Sequence, residues 1–314
     1  MPSLQKSRHP FRRRIQLATA AALAGAAFAV AAAPDVADTG FAERTAQVNG
    51  VRIHYQVGGR GSPVVLLHGY AETSAIWTPL MARLAQTHTV IVPDLRGAGA
   101  SEISESGYEK KNMAVDIHQL VNGISREPAV VVGHDIGLMV AYAYAAQYPQ
   151  DVSRLALLEA FLPGIGEWKQ RYSAPRNWHY HFRGATAEAL VAGRERTYFE
   201  HFWNDFAADR TRSVPEEQRQ AFAASWARPG GMRAGFAWFE AFERDADDFA
   251  RFSRDKLRMP VLAVAGEKSG GDFLIRQVRL VADDVDGRIV AGSGHWLMEE
   301  KPEETSRLLY DFIR

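Results

Sequence analysis

The chain has 314 residues, 46% of them hydrophobic, and its 37 Lys and Arg balance its 37 Asp and Glu. That length is ample for a packed core, either one large α/β domain or a core with an insertion. Zero net charge excludes a basic nucleic-acid stripe or an acidic tail as the organising feature, and the absence of cysteine removes a disulfide framework and any cysteine-ligated metal.

The N-terminus reads as a targeting segment. Lys6, Arg8, Arg12, Arg13 and Arg14 make a positive region, an Ala-rich apolar stretch covers 15–30, and Ala29/Ala31 or Ala31/Ala33 give the small-residue spacing of a cleavage site. Residues 1–33 are therefore expected to be a signal peptide, and the protein to be exported, periplasmic or secreted. The competing reading is a membrane anchor, because the apolar run approaches the ~20 residues that span a bilayer. Alanine transfers weakly into lipid, which favours cleavage and no stable membrane insertion afterwards. The Arg12-Arg13 pair keeps a twin-arginine route open beside the general one.

After this segment the pattern is βα alternation. "AQVNGVRIHYQVGG" predicts a hairpin turning at Asn49-Gly50. "SPVVLLHG", "HTVIVPD", "PAVVVG", "SRLALLEA", "MPVLAVAG" and "GRIVAG" read as strands, and near-continuous apolar runs suit a parallel sheet covered on both faces. Helical periodicity falls at 75–86, 109–124, 136–148, 273–282 and 303–313. The alternation predicts a doubly wound, mostly parallel α/β fold. Residues 161–258 break the rhythm: they are rich in aromatics at helical spacing and carry no clear core strand. They are expected to form a helical lid between two parts of the core, 34–160 and 259–314, over the C-terminal strand ends where open α/β sheets bind ligands. Most of the lid aromatics are expected to be packing.

"VVVGHDIGLMVAYAYAAQYP" begins at Val130 and raises the functional question. Gly133-His134-Asp135-Ile136-Gly137 fits a tight strand-to-helix turn that projects its central side chain, with glycines where a Cβ would clash. Asp135 could instead simply N-cap the helix. A serine at such an elbow attacks acyl carbon. A carboxylate suits attack on sp³ carbon, opening an epoxide or expelling a halide and leaving an ester of its own side chain. Hydrolysis of that ester needs a base to activate water and donors for the oxyanion. His295, after the last predicted strand, supplies the base. The backbone N–H groups of Tyr70, in "LLHGYAETSAIW", and of Ile136 are the expected oxyanion donors, with His68 bracing the loop. A third group should orient His295. Spacing leaves Glu159 open against Asp272 and Glu267.

These residues carry a resemblance. With "EAFLPG", "NWHYHF", "LVAGRERTYFEHFW", "GEKSGGDF" and "DVDGRIVAGSGHWLMEE", the chain from about residue 41 onward resembles the epoxide hydrolase and dehalogenase branch of the α/β-hydrolases, and within it secreted epoxide hydrolases. The resemblance implies an α/β-hydrolase fold, Asp135 as nucleophile, His295 as base and Glu159 as the charge-relay acid. It also implies a lid histidine, His179, helping to polarise or protonate the epoxide oxygen, with His181 a bystander. The usual second donor is a lid tyrosine, but the position it implies is Phe239, which cannot donate. Trp238 beside it, if the helix rotates slightly, or Tyr180 from the other segment would replace it; otherwise the donor is lost.

The expected activity is hydrolysis of a small apolar epoxide to a vicinal diol through an Asp135 ester. A haloalkane or haloacid dehalogenase using the same aspartate is the rival, with Trp238 as halide donor, although Ile136, Leu138 and Met139 stand where arginines after the nucleophile bind carboxylate in fluoroacetate-type enzymes. A binding protein or effector on the same scaffold is the non-enzymatic alternative. C–C or ester hydrolysis would prefer serine at position 135. The scattered histidines offer no HExxH spacing, so no metal or other cofactor is expected. No nucleic-acid partner is expected either, and a homodimer is left open.

Overall fold

The computed structural model describes residues 40–314; the expected signal peptide lies outside the described residues. Asn49 and Gly50 both take positive φ, 44° and 76°, and turn β1 (Phe41–Val48) back onto β2 (Val51–Gly59) with Val48 opposite Val51. This turn twists with its strands, which is why Asn-Gly marks hairpins.

The other strands are β3 (Pro63–Leu67), β4 (Thr89–Pro93), β5 (Ala129–His134), β6 (Val152–Leu158), β7 (Val261–Gly266) and β8 (Val285–Val290). They form one eight-stranded sheet in the order β1-β2-β4-β3-β5-β6-β7-β8. β2 runs antiparallel to both neighbours and all other pairings are parallel. β3, β5 and β7 are buried along their whole length, as helices on both faces require. β8 departs from that expectation. It is the sheet edge, and most of its residues are at least partly exposed, Ile289 among them.

The helices are α1 (Thr78–Leu84), α2 (Lys110–Ile124), α3 (Ile136–Gln147), α4 (Trp168–Tyr172), α5 (Ala185–Val191), α6 (Glu195–Asp205), α7 (Glu216–Trp226), α8 (Gly231–Glu240), α9 (Phe242–Phe252), α10 (Phe273–Val281), α11 (Leu297–Glu300) and α12 (Pro302–Ile313). Helices α4 to α9 and a 3₁₀ segment, Pro175–Tyr180, occupy the chain between β6 and β7. No helix among the described residues is long and apolar enough to cross a membrane.

Much of the lid aromatic content is packing, and tryptophans also fasten lid to core. Indole N–H groups of Trp203, Trp226 and Trp238 donate to the core carbonyls of Ala71 (2.9 Å), Glu72 (3.1 Å) and Arg96 (3.1 Å). Trp296 donates the other way, to Phe202 O at 3.1 Å. Each such bond is worth about 1 kcal/mol net, and a buried indole left without one would cost more. Fully buried Lys110 adds an ionic latch: its Nζ lies 2.9 Å from Asp245 Oδ2 on α9 and 4.7 Å above the Phe242 ring. Burial drives the lysine pKa down and the aspartate pKa up while their mutual attraction opposes both, so the intact pair adds little net stability, whereas removing one partner would leave the other charge buried alone.

Candidate active site

The end of β5 makes the turn that the glycines foreshadow. A Cβ on Gly133 would lie 2.3 Å from Gly137 O, and one on Gly137 would lie 2.4 Å from Leu67 O. Between them Asp135 sits at φ 49°, ψ −120°, with no side-chain bond to the helix it precedes. It holds the N-cap position of α3, but its side chain does not cap the helix. A non-glycine residue held there costs about 1–3 kcal/mol and persists where the surroundings over-determine it. Asp135 N–H donates to Leu158 O and Leu138 N–H to Asp135 O, which fix the turn.

Three more loops bring partners to Asp135. Tyr70, after β3, donates its N–H to Asp135 Oδ1 at 2.9 Å. Gly69 lets that loop approach, since a Cβ there would meet the Asp135 Cβ at 2.4 Å. Ile136 is the first residue of α3, where amides lack intrahelical acceptors. His295, after β8, places Nε2 3.7 Å from Asp135 Oδ2 and Nδ1 3.3 Å from Glu159 Oε2. Glu159 also takes a strained φ, 44°, directly after β6. Its carboxylate accepts from Gly266 N–H (2.6 Å) and Ser269 Oγ (2.8 Å). Burial alone would raise the Glu159 pKa, but the bonds from His295 and these donors hold it below its ordinary value. The alternatives face elsewhere: exposed Asp272 pairs with Arg276, and Glu267 accepts from Gly292 N–H at 2.9 Å. His68 braces the loop after β3, with Nδ1–H to Gly69 O (2.9 Å) and Nε2 accepting from Leu95 N–H (3.0 Å).

His179, Tyr180 and Phe239 line the cleft above Asp135. Burial, aided by His201, His295 and His181, pushes the His179 pKa down to about 3. His179 is therefore a neutral imidazole. Its Nδ1 is buried without a partner. Tyr180 makes no hydrogen bond through its hydroxyl, and burial with the nearby Asp135 charge raises its pKa, so it stays a donor. His181 is tied to Tyr172 O at 3.1 Å.

Trp238 corrects an expectation. It is fully buried, does not line the cleft, and its N–H is held by Arg96 O. Neighbouring helical residues point about 100° apart. Phe239 faces the cleft, so Trp238 cannot, and no slight rotation of α8 would exchange them.

One group went unrecognised in the sequence. His134, the residue before Asp135, is buried; its Nδ1 lies 2.9 Å from Glu72 Oε1 and its Nε2 3.0 Å from His295 O. The same Glu72 oxygen accepts the Gly69 N–H. The loop after β3, the turn after β5 and the His295 loop thus share one buried link. Burial would lower the His134 pKa, but the Glu72 carboxylate beside it, with Asp135 and the His295 carbonyl, pushes it up to about 10. A folded-state value above the ordinary 6.5 means stability that is complete below that pH and is lost as pH rises through about 10. Glu299, pushed up to about 8 by burial and by Glu72, acts with the same sign from pH 4.5 upward. The melting temperature should accordingly fall from pH 7 to pH 10, and His134→Gln should flatten that fall. Parallel wild-type and variant melting curves across this range would refute the assignment.

A family-wide profile described as alpha/beta hydrolase fold matches residues 62–302. The chain belongs to the α/β-hydrolase fold family. It is 34% identical over 266 residues to the soluble epoxide hydrolase of Corynebacterium sp. (strain C12), covering 82% of this chain and 92% of the relative. It is 26% identical to a fluoroacetate dehalogenase of Burkholderia sp., covering 87% and 94%. Among solved structures, Cfl2 from Burkholderia cenocepacia superposes with TM-score 0.79 at 34% identity, covering 88% of this chain and 96% of that one. The Cif epoxide hydrolase from Acinetobacter nosocomialis, 23% identical with TM-score 0.81, covering 88% and 90%, shares the fold. The chain thus resembles epoxide hydrolases, and it has a dehalogenase among its relatives.

Proposed function

We propose that this hydrolase opens an epoxide to a vicinal diol through an ester on Asp135. The observation that carries the reading is a strained aspartate, not a serine, set between an oxyanion amide and a His295–Glu159 pair. Tyr70 N–H occupies Oδ1, so Oδ2 is the attacking oxygen. Its electron pair forms a bond to a ring carbon, the carbon–oxygen bond breaks, and the ring oxygen takes up the negative charge. Neutral His179 and Tyr180 are the donors in the cleft that can bind that oxygen and supply its proton. In the second half, His295 Nε2 removes a proton from water, and the hydroxide adds to the Asp135 carboxyl carbon. The tetrahedral oxyanion forms at Oδ1, which the Tyr70 amide already contacts, and we assign the Ile136 amide as its second donor. Glu159 stabilises the imidazolium. Collapse breaks the ester carbon–oxygen bond, the imidazolium of His295 gives its proton to the departing alkoxide, and the acid proton left on Asp135 restores the donor that protonated the first oxygen, so the diol leaves and the Asp135 carboxylate is regenerated. No step calls on a metal or other cofactor.

The 34%-identical soluble epoxide hydrolase supports this reading. The second reading, displacement of halide by the same Asp135, is favoured by the dehalogenase relative and weakened by the occupied Trp238 indole. We also propose that residues 1–33 direct export, on the pattern of charge, apolar run and small residues. Steady-state assays of the mature protein against terminal epoxides and against haloalkanes and haloacids separate the activities. Diol formation well above halide release is the expected result, and halide release alone would overturn it.

A further inference from the structure

The cleft changes character along its length. Around Asp135 the walls are aromatic, whereas Arg171, Arg176 and Asn177 line it from the segment around the end of α4. Among the described residues, Arg171 and Arg176 are the arginines that line the cleft. Arg96, Arg196, Arg219, Arg233, Arg244 and Arg288 each pair with a carboxylate. Arg183 and Arg228 lack a carboxylate and hold backbone carbonyls, but do not line the cleft. Among the described residues, Arg171 and Arg176 form no ion pair either, yet both are held in place. Arg171 donates from Nη2 to Gly270 O at 3.0 Å and lies 4.9 Å over the Phe273 ring. Arg176 donates from Nη2 to Asp205 O at 2.6 Å and lies 4.8 Å over the Phe206 ring. The Asp205 carboxylate itself is taken by His201 and Arg210. A guanidinium carries five N–H donors, so each arginine keeps most of its fork unused.

Two permanently charged, pre-oriented forks beside an aromatic cleft match a planar anion. We propose that Arg171 and Arg176 form an anion subsite, and that the preferred substrate carries a carboxylate or similar acidic group on the body that bears the reacting carbon. The proposal rests on the hydrolase reading above and narrows its substrate class. Gly270 lies beside both groups: a Cβ there would be in ordinary contact, 3.6 Å, with Arg171 Nη2 and with Glu159 Oε1.

The test compares 4-(oxiran-2-yl)benzoate with styrene oxide, which share a reacting centre and differ in the charged group. The wild type should favour the carboxylate by about tenfold or more in kcat/KM, chiefly through KM, since charge-assisted bonds are the stronger class. Arg171→Gln/Arg176→Gln should collapse that ratio toward one, and the Lys/Lys variant should restore part of it. If the arginines merely offset the Asp135 and Glu159 charges, the variants would shift both substrates alike and leave the ratio intact, which would overturn the proposal. Calorimetric binding of the two corresponding diols to the wild type needs no turnover. Tighter binding of the carboxylated diol, lost in the Gln/Gln variant, would support the subsite even if neither epoxide were hydrolysed. Equal binding of both diols would refute it whatever the activity.

Discussion

Asp135→Ala should remove turnover by roughly 10⁴-fold or more, because every later step acts on an ester that this side chain alone can form. The loss should appear in kcat rather than KM, since the cleft walls are untouched. His295→Gln should act differently. The Tyr70 N–H bond to Oδ1 at 2.9 Å remains and Oδ2 is still free to attack, so the first half-reaction proceeds and the second stops. A short burst of one equivalent followed by silence is the expected signature. Loss of the burst in His295→Gln would mean that the histidine is needed before the ester exists.

The second large effect belongs to Tyr180→Phe. The ring packs 5.5 Å from Phe239 and 5.2 Å from Phe242, and phenylalanine keeps those contacts while deleting the hydroxyl. An epoxide oxygen leaves poorly without a donor, and removing one preorganised donor of this kind costs about 3–4 kcal/mol, or roughly 10²–10³ in kcat. His179 stays in place as a neutral donor, so residual activity should persist. Its pKa of about 3 also means that activity lost between pH 6 and 4 does not come from protonating His179. Rapid-quench kinetics should show slower ester formation with ester hydrolysis unaltered. A Tyr180→Phe enzyme within threefold of the wild type would leave ring opening to His179 alone.

The sheet and the elbow were legible because backbone chemistry is local. Asn49-Gly50, the glycines flanking His134-Asp135-Ile136, and the apolar runs before each turn all constrain residues close in sequence. The choice among Glu159, Asp272 and Glu267 was not legible from spacing, since any of them follows a strand that ends near His295; it took the resemblance, and then the 3.3 Å approach of Glu159, to separate them. The lid misled for a physical reason. Trp238 and Phe239 are adjacent in sequence but face opposite demands, one closing a bond to Arg96 O and the other walling the cleft. The His134–Glu72 link and the two cleft arginines had no signal in the sequence at all. Each depends on residues from separate segments meeting in space, and an arginine without a carboxylate looks like any other arginine until its surroundings are known.

The most direct test of the covalent account is the intact mass of His295→Gln after exposure to an epoxide. The expected result is a gain equal to the whole epoxide, with the modification on the peptide that contains Asp135 and none in the Asp135→Ser variant. A gain equal to a halogenated substrate minus hydrogen halide, with none from epoxides, would move the activity to dehalogenation on the same residue. Turnover of epoxide by the wild type with no adduct in His295→Gln, or an adduct on any residue other than Asp135, would contradict the mechanism.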